Sequence, residues 1–259
     1  TFSRKSIFGY SFIALSSIAI ASIGSLVWAH HMFTSGMSDV ARIVFSFLTF
    51  IVAVPSAIKV FNWVATLYKG SIYIEPPLIF ALAFIFLFSI GGLTGLFLGA
   101  LSIDVHVHDT AFVVAHFHYT MLGGAGILFF AAMHYWFPKM FGRIYKKSIA
   151  YISCVLFIIG FNGTYFPLFL AGVAGMPRRY ADYLPEFEIY HATSTIGSWI
   201  MAGGIVLMFI NLFFSIFKGK PVGNNPWGSK SLEWQISSPP VTENFEQIPT
   251  ITQGPYEYN

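Results

Sequence analysis

The sequence predicts an all-α polytopic membrane protein with six transmembrane helices, and three observations carry that prediction. Of its 259 residues, 56% are hydrophobic and 10% charged, with a mean hydropathy of +0.68; soluble domains carry about a quarter charged residues. Six apolar runs are each long enough to cross a hydrocarbon core of about 30 Å. Most Lys and Arg residues outside the runs fall in alternate loops and the tail, which places them on one side of the membrane. The single Cys154 excludes a disulfide scaffold within the chain and a Cys-rich zinc or iron–sulfur site. The net charge of +3 sits mostly in loops and reports topology, not nucleic-acid binding.

The runs fall at 7–29, 40–67, 78–101, 110–137, 149–173 and 193–217. Each is read as a helix, because an isolated stretch in lipid satisfies its backbone only internally. Barrel strands would be about half as long and would alternate in polarity. The 29 Phe residues are read as lipid-facing and packing surface. The first run follows Arg4 and Lys5 and imitates a signal peptide, but it is too long and lacks a small-residue cleavage pattern. Because the sequence opens on Thr1, residues are expected upstream.

Arg4, Lys5, Lys69, the basic residues of 139–147, and Lys218, Lys220 and Lys230 share one side. The opposite loops hold Arg178 and Arg179, with Arg42 just inside the second run. The basic side is expected to be cytoplasmic, or the matrix side in a mitochondrion. The polar tail 218–259 lies there; its Pro239-Pro240 and acidic end read as an extended surface segment.

Taken in chain order, nearly all of the unusual polar residues gather at the other side, Lys59 and its neighbours apart. The first run ends in His30 and His31; neutral imidazoles suit copper, zinc or iron, and two neighbours can share one copper. The second run carries Lys59, one turn after Pro55 and three residues after Ser56 on the same face. Pro55 frees a backbone carbonyl, so this stripe reads as a proton or water path from the basic side; the alternative is a snorkelling Lys. Asp104, His106, His108 and Asp109 fill the loop before the fourth run. His108-Asp109 offers one nitrogen and one carboxylate to a divalent cation, or places Asp in a helix first turn, where the macrodipole favours it. In the fourth run, His116 and His118 stand two apart, about 200° around a helix, so they leave opposite faces; they cannot chelate one ion together, but each could ligate a different centre. The alternative is two packing histidines, as His134 and His191 are read to be. Arg178-Arg179 breaks the positive-inside bias and asks for a local carboxylate or phosphate, such as a heme propionate.

Five motifs occur in one order: Trp28-Ala29-His30-His31-Met32-Phe33-Thr34, Val54-Pro55-Ser56-Ala57-Ile58-Lys59-Val60-Phe61, His108-Asp109-Thr110, Val114-Ala115-His116-Phe117-His118-Tyr119 and Gly175-Met176-Pro177-Arg178-Arg179-Tyr180. They resemble the second half of the twelve-helix subunit I of the heme–copper cytochrome c oxidases (aa3-type), over residues 5–240. The resemblance implies that His30 and His31 are two of three ligands of the copper (copper B), and that His116 is the axial ligand of high-spin heme a3. It makes His118 an axial ligand of low-spin heme a and His108 with Asp109 magnesium ligands. Arg178, Arg179 and Asp104 become a heme-propionate network, and Lys59 with Ser56 a proton path. Ala111, Phe169 and Ser38-Asp39 depart from the family pattern, which touches peripheral hydrogen bonds and not the ligands.

The implied activity is O2 reduction to water with electrons from cytochrome c, coupled to proton translocation, in a mitochondrial inner or bacterial cytoplasmic membrane. The implied partners are the N-terminal half of subunit I, on a separate chain or upstream of Thr1, with subunits II and III. That half would bring the other low-spin heme ligand and the third copper ligand. A quinol oxidase is the alternative within the superfamily; Asp109 and Tyr119 favour cytochrome c. A proton channel is the alternative of another class, and it would not need His116 and His118 on opposite faces.

Overall fold

The computed structural model describes residues 1–252, 254, 255, 257 and 258. Among them, six helical rods are long and apolar enough to cross a membrane. The first is α1 (Tyr10–Gly24), continued by a 3₁₀ turn (Trp28–Met32). The second and third are α2 (Asp39–Leu67) and α3 (Pro76–Gly99). A short α4 (Leu101–Val107) leads to the fourth rod, built from α5 (Ala111–Thr120), a π turn (Met121–Gly126) and α6 (Ile127–Phe141). The fifth is α7 (Lys147–Val173); the sixth is α8 (Glu188–Lys218), entered through a 3₁₀ turn (Pro185–Phe187). Two-residue strands β1 (Arg143–Ile144) and β2 (Lys220–Pro221) pair antiparallel below the fifth and sixth rods.

Local chemistry sets the starts. Ser38 caps α2 by accepting from the Ala41 amide (3.3 Å), with Asp39 in the first turn. Pro76 and Pro77 open α3, where a missing amide costs nothing. Thr110 caps α5 by accepting from the Phe112 amide (3.2 Å).

Three boundaries differ from the hydropathy reading. Residues 101–107, expected as loop, are helical; the fourth rod runs on to Phe141; and α8 starts at Glu188 rather than near 193. Hydropathy marks the thickness of the apolar slab, whereas helices continue past it while their backbone bonds hold.

The interior lies where α3, α5 and α7 meet. Leu87, Tyr119, Ile127 and Phe161 are fully buried there. Gly197 of α8 faces the backbone of Gly163 and Thr164 on α7 so closely that a Cβ would collide with both, and Ser194 donates across to the Thr164 carbonyl (2.7 Å). Small residues that let helix backbones touch are the means of tight association in lipid. By contrast, α2 is peripheral: only Pro55 and Asn62 are buried, and Phe47 and Phe61 stand open at 65% and 71%. Such faces meet lipid or another protein.

The chain ends and the loops after the second and fourth rods come together at one face. Arg4 donates to the Trp227 carbonyl (2.8 Å), Lys147 pairs with Glu75 (2.7 Å), and β1 pairs with β2. The tail is more than a surface segment. Trp227 and Trp234 are buried and donate to the Tyr135 carbonyl and hydroxyl, both at 2.8 Å. Lys139, also buried, donates to the carbonyls of Asn224 (3.1 Å), Ile236 (2.8 Å) and Ser237 (3.3 Å).

Candidate functional site

His30 and His31 sit where the first rod tightens into its 3₁₀ turn. Their Nε2 atoms approach to 3.0 Å, with the rings edge-to-face at 4.2 Å. His30 Nδ1 lies 3.2 Å from Thr49 Oγ1, and that hydroxyl already donates to the Phe45 carbonyl (2.6 Å). The Thr49 oxygen therefore accepts, His30 carries its proton on Nδ1, and its Nε2 lone pair faces His31.

The same arrangement recurs on α5. His116 Nδ1 lies 3.2 Å from Thr94 Oγ1, whose own proton goes to the Ile90 or Gly91 carbonyl of α3. His118 Nδ1 donates to the Val114 carbonyl (2.8 Å), and its ring stacks on Tyr165 of α7 at 4.1 Å. One imidazole thus turns to α3 and the other to α7, as the angular separation on a regular helix requires. His116 interacts electrostatically with both His30 and His31. Gly95 makes room for it: a Cβ there would lie 3.0 Å from His116 Cε1.

The loop between α4 and α5 supplies the third group. Asp104 is buried and accepts from His108 Nδ1 (2.7 Å). Burial pushes the Asp104 carboxyl up, against the pull of the His108 bond and charge. Asp109, at φ +53°, receives the Arg178 guanidinium on Oδ1, at 2.8 Å from Nε and 2.6 Å from Nη2. Burial would raise its carboxyl too, but the Arg178 bond and charge, with His108 and Arg179, hold it below 3.8. Backbone bonds from Arg178 to Asp109 and from Ala111 to Met176, both 2.9 Å, tie this loop to the one carrying Arg178. His31 lies within reach of the charges of Asp104, His108 and Arg178, so the two clusters form one layer.

Asp104, expected beside Arg178 and Arg179, is hydrogen-bonded to His108, and Arg178 is engaged by Asp109. Arg179 adopts φ +67° next to it. Lys59 and Ser56 stand apart on α2: the ammonium lies 5.5 Å over the Trp63 ring, and Ser56 donates to the Val52 carbonyl (2.9 Å). His134 donates to the Phe130 carbonyl (2.8 Å) and stacks on Phe80; His191 meets the Met176 sulfur at 3.0 Å. Thr49, Thr94 and Tyr165 escaped the sequence reading. The only sequence signal near them is the Gly91, Gly95, Gly99 stripe, the spacing that lets a neighbouring helix approach closely.

His30, His108, His116 and His118 all hold the proton on Nδ1 and leave Nε2 as acceptor, the state in which imidazole binds a metal, with the partner at Nδ1 setting ring orientation. Among the described residues no three or more His, Cys, Asp or Glu gather around one point, so a metal here needs further ligands from outside these residues.

A membrane bundle carrying such imidazoles at one end is, by fold and chemistry, built to hold metal or heme. The family model described as Cytochrome C and Quinol oxidase polypeptide I matches residues 1–206, and the chain belongs to that family. It is 48% identical over 255 residues to cytochrome c oxidase subunit 1 of Thermostichus vulcanus, covering 98% of this chain and 46% of that protein. It is 44% identical to the same subunit of Bacillus sp. (strain PS3), covering 97% and 41%. The chain thus spans less than half the length of these curated relatives. A solved heme–copper terminal oxidase dimer is 27% identical with a TM-score of 0.68, over 76% of this chain and 40% of that one. The family implies heme and copper; the Nε2 acceptors of His116 and His118 fit a heme each, and the converging Nε2 atoms of His30 and His31 fit the copper.

Proposed function

We propose that this chain forms the second half of the catalytic subunit of a cytochrome c oxidase, reducing O2 to water with electrons from cytochrome c and translocating protons. The observation that carries this reading is the pair of imidazoles on α5, one turned to α3 near His30 and His31 and the other to α7. His30 and His31 hold the copper, His116 heme a3 and His118 heme a. When bound, these groups supply electron transfer and oxygen reduction. Thr49 and Thr94 keep the His30 and His116 protons on Nδ1, so that Nε2 remains a donor of its lone pair. Tyr165 holds the His118 ring in plane. His108 and Asp109 serve a magnesium ion, with Asp104 orienting His108. Arg178 and Arg179 neutralise heme propionates. Lys59 and Ser56 deliver protons from the basic, cytoplasmic or matrix side, where the tail lies. Asp109 and Tyr119 support cytochrome c over quinol as donor. The N-terminal half of subunit I supplies the remaining ligands, and subunits II and III complete the complex.

The test uses the complete oxidase. His118→Ala should abolish the low-spin heme signal in a reduced-minus-oxidised spectrum and leave copper bound. His116→Ala should disturb the oxygen-binding heme instead. Loss of one and the same component in both variants would overturn the assignment.

A further inference from the structure

Where α7 and α8 reach the basic face, a groove of about 820 Å³ opens between them and the tail. Lys146, Lys147, Lys218 and Lys220 line it, and no acidic residue does. Lys147 is neutralised by Glu75 (2.7 Å), whereas Lys146, Lys218 and Lys220 have no ion pair among the described residues. All three are exposed. The wall running toward the membrane interior is apolar: Ile149 from α7, and Ile210 and Phe214 from α8, the last two 48% and 56% exposed.

The groove is held in shape by its backbone. Asn211 of α8 accepts from the Lys146 amide (3.1 Å) and donates to the Lys146 carbonyl (3.0 Å). Pairing of Ile144 with Lys220 and the Arg143 bond to the Gly219 carbonyl (2.8 Å) fix the opposite rim. Three uncompensated ammonium groups above an apolar wall, at the mouth of two membrane-crossing helices, match a molecule with an anionic head and a hydrocarbon tail. A free anion would leave the wall open, and a zwitterionic lipid would leave the charge uncompensated.

We propose that this groove binds one anionic phospholipid of the leaflet on the basic side. Its phosphate lies among Lys146, Lys218 and Lys220, and an acyl chain runs along Ile210 and Phe214. Each Lys near an anionic membrane surface contributes roughly a fivefold gain in affinity, so removing two should cost on the order of 25-fold.

The experiment uses the complete oxidase in phosphatidylcholine vesicles with a trace of phosphatidylglycerol bearing a photoreactive acyl chain. Cross-links are mapped by mass spectrometry, and the label is competed with unlabelled lipid or inorganic phosphate. The expected label falls on the 206–217 segment, is displaced by phosphatidylglycerol, and resists both phosphatidylcholine and millimolar inorganic phosphate. K218Q/K220Q should weaken competition by roughly 25-fold, and K218R/K220R should retain it, which separates charge from folding. Labelling elsewhere, equal displacement by phosphatidylcholine, or full affinity in K218Q/K220Q would overturn the proposal. Displacement by inorganic phosphate would overturn it in favour of a free-anion site.

Discussion

The Nε2 atoms of His30 and His31 stand 3.0 Å apart, while Thr49 holds the far side of the His30 ring at 3.2 Å. A 3₁₀ turn sets adjacent residues about 120° apart, wider than the roughly 100° of an α-helix, so the two rings converge by their side-chain rotamers, with Thr49 fixing the His30 ring. A cation between the two nitrogens would replace a single shared proton with two ligand bonds. His31→Ala in the complete oxidase should therefore cut the copper-to-heme ratio by more than half and leave both heme signals in place. An unchanged ratio would show that the pair does not hold the metal.

Asp104 acts on His108 through one buried hydrogen bond of 2.7 Å. Partners of this kind set ligand orientation and basicity, and their loss costs about 10–100-fold in metal affinity. Asp104→Asn should weaken manganese binding at the outer loop by that factor, measured by electron spin resonance, with heme content unchanged. Retention of full affinity would mean that the Asp104 bond does not orient a metal ligand.

The Asp109–Arg178 pair predicts a pH dependence with a definite sign. Because the folded Asp109 carboxyl titrates below 3.8, its contribution is complete above that value and is lost as pH falls through the folded pKa. Hydrogen exchange in residues 175–181, corrected for intrinsic rates, should stay slow at neutral pH and rise in acid. Asp109→Asn should show the fast rate already at pH 7. With the Asp109 side chain 60% exposed, global stability should barely move.

Lys59 separates two roles. A side chain that only snorkels could become Met with turnover intact. As a proton carrier, Lys59→Met should keep hemes and copper but lose most steady-state turnover, since an electron entering a low-dielectric site needs a compensating proton. Near-normal turnover with full metal content would exclude the proton path.

Lys139 pins the tail through three carbonyls. A hydrogen bond to a charged donor contributes about 1.5–3 kcal/mol, and the three acceptors share one ammonium, so they are counted together as one such interaction. Lys139→Met should raise limited proteolysis within residues 222–240 by on the order of 30-fold, a loss of about 2 kcal/mol. Equal cleavage rates would show that Trp227 and Trp234 hold the segment alone.

The histidines show how far the sequence could be read. That His116 and His118 leave opposite faces follows from two residues on one helix, and their depth follows from 1.5 Å per residue. That Thr94 meets His116 and Tyr165 meets His118 does not follow, because these partners lie 22 residues away on α3 and 47 on α7. Asp104 shows the same limit at short range. As loop it had no direction, and only as part of α4 does it come one turn from His108. By its charge Lys139 reads as a loop residue, whereas α6 carries it to a buried position against the tail.

By itself the sequence determined the six rods, the shared side of the basic loops, and the height and azimuth of each polar residue on its own rod. Lipid leaves the backbone no alternative to the helix, and helix geometry then places every side chain relative to its axis. The tertiary structure alone decided which azimuth faces which neighbour. That choice rests on how closely and at what rotation the rods meet, which Gly95 against His116 and Gly197 against Gly163 set through contacts far apart in the chain. It also rests on loop-to-loop bonds such as Asp109 to Arg178, 69 residues apart, whose partners no local pattern announces.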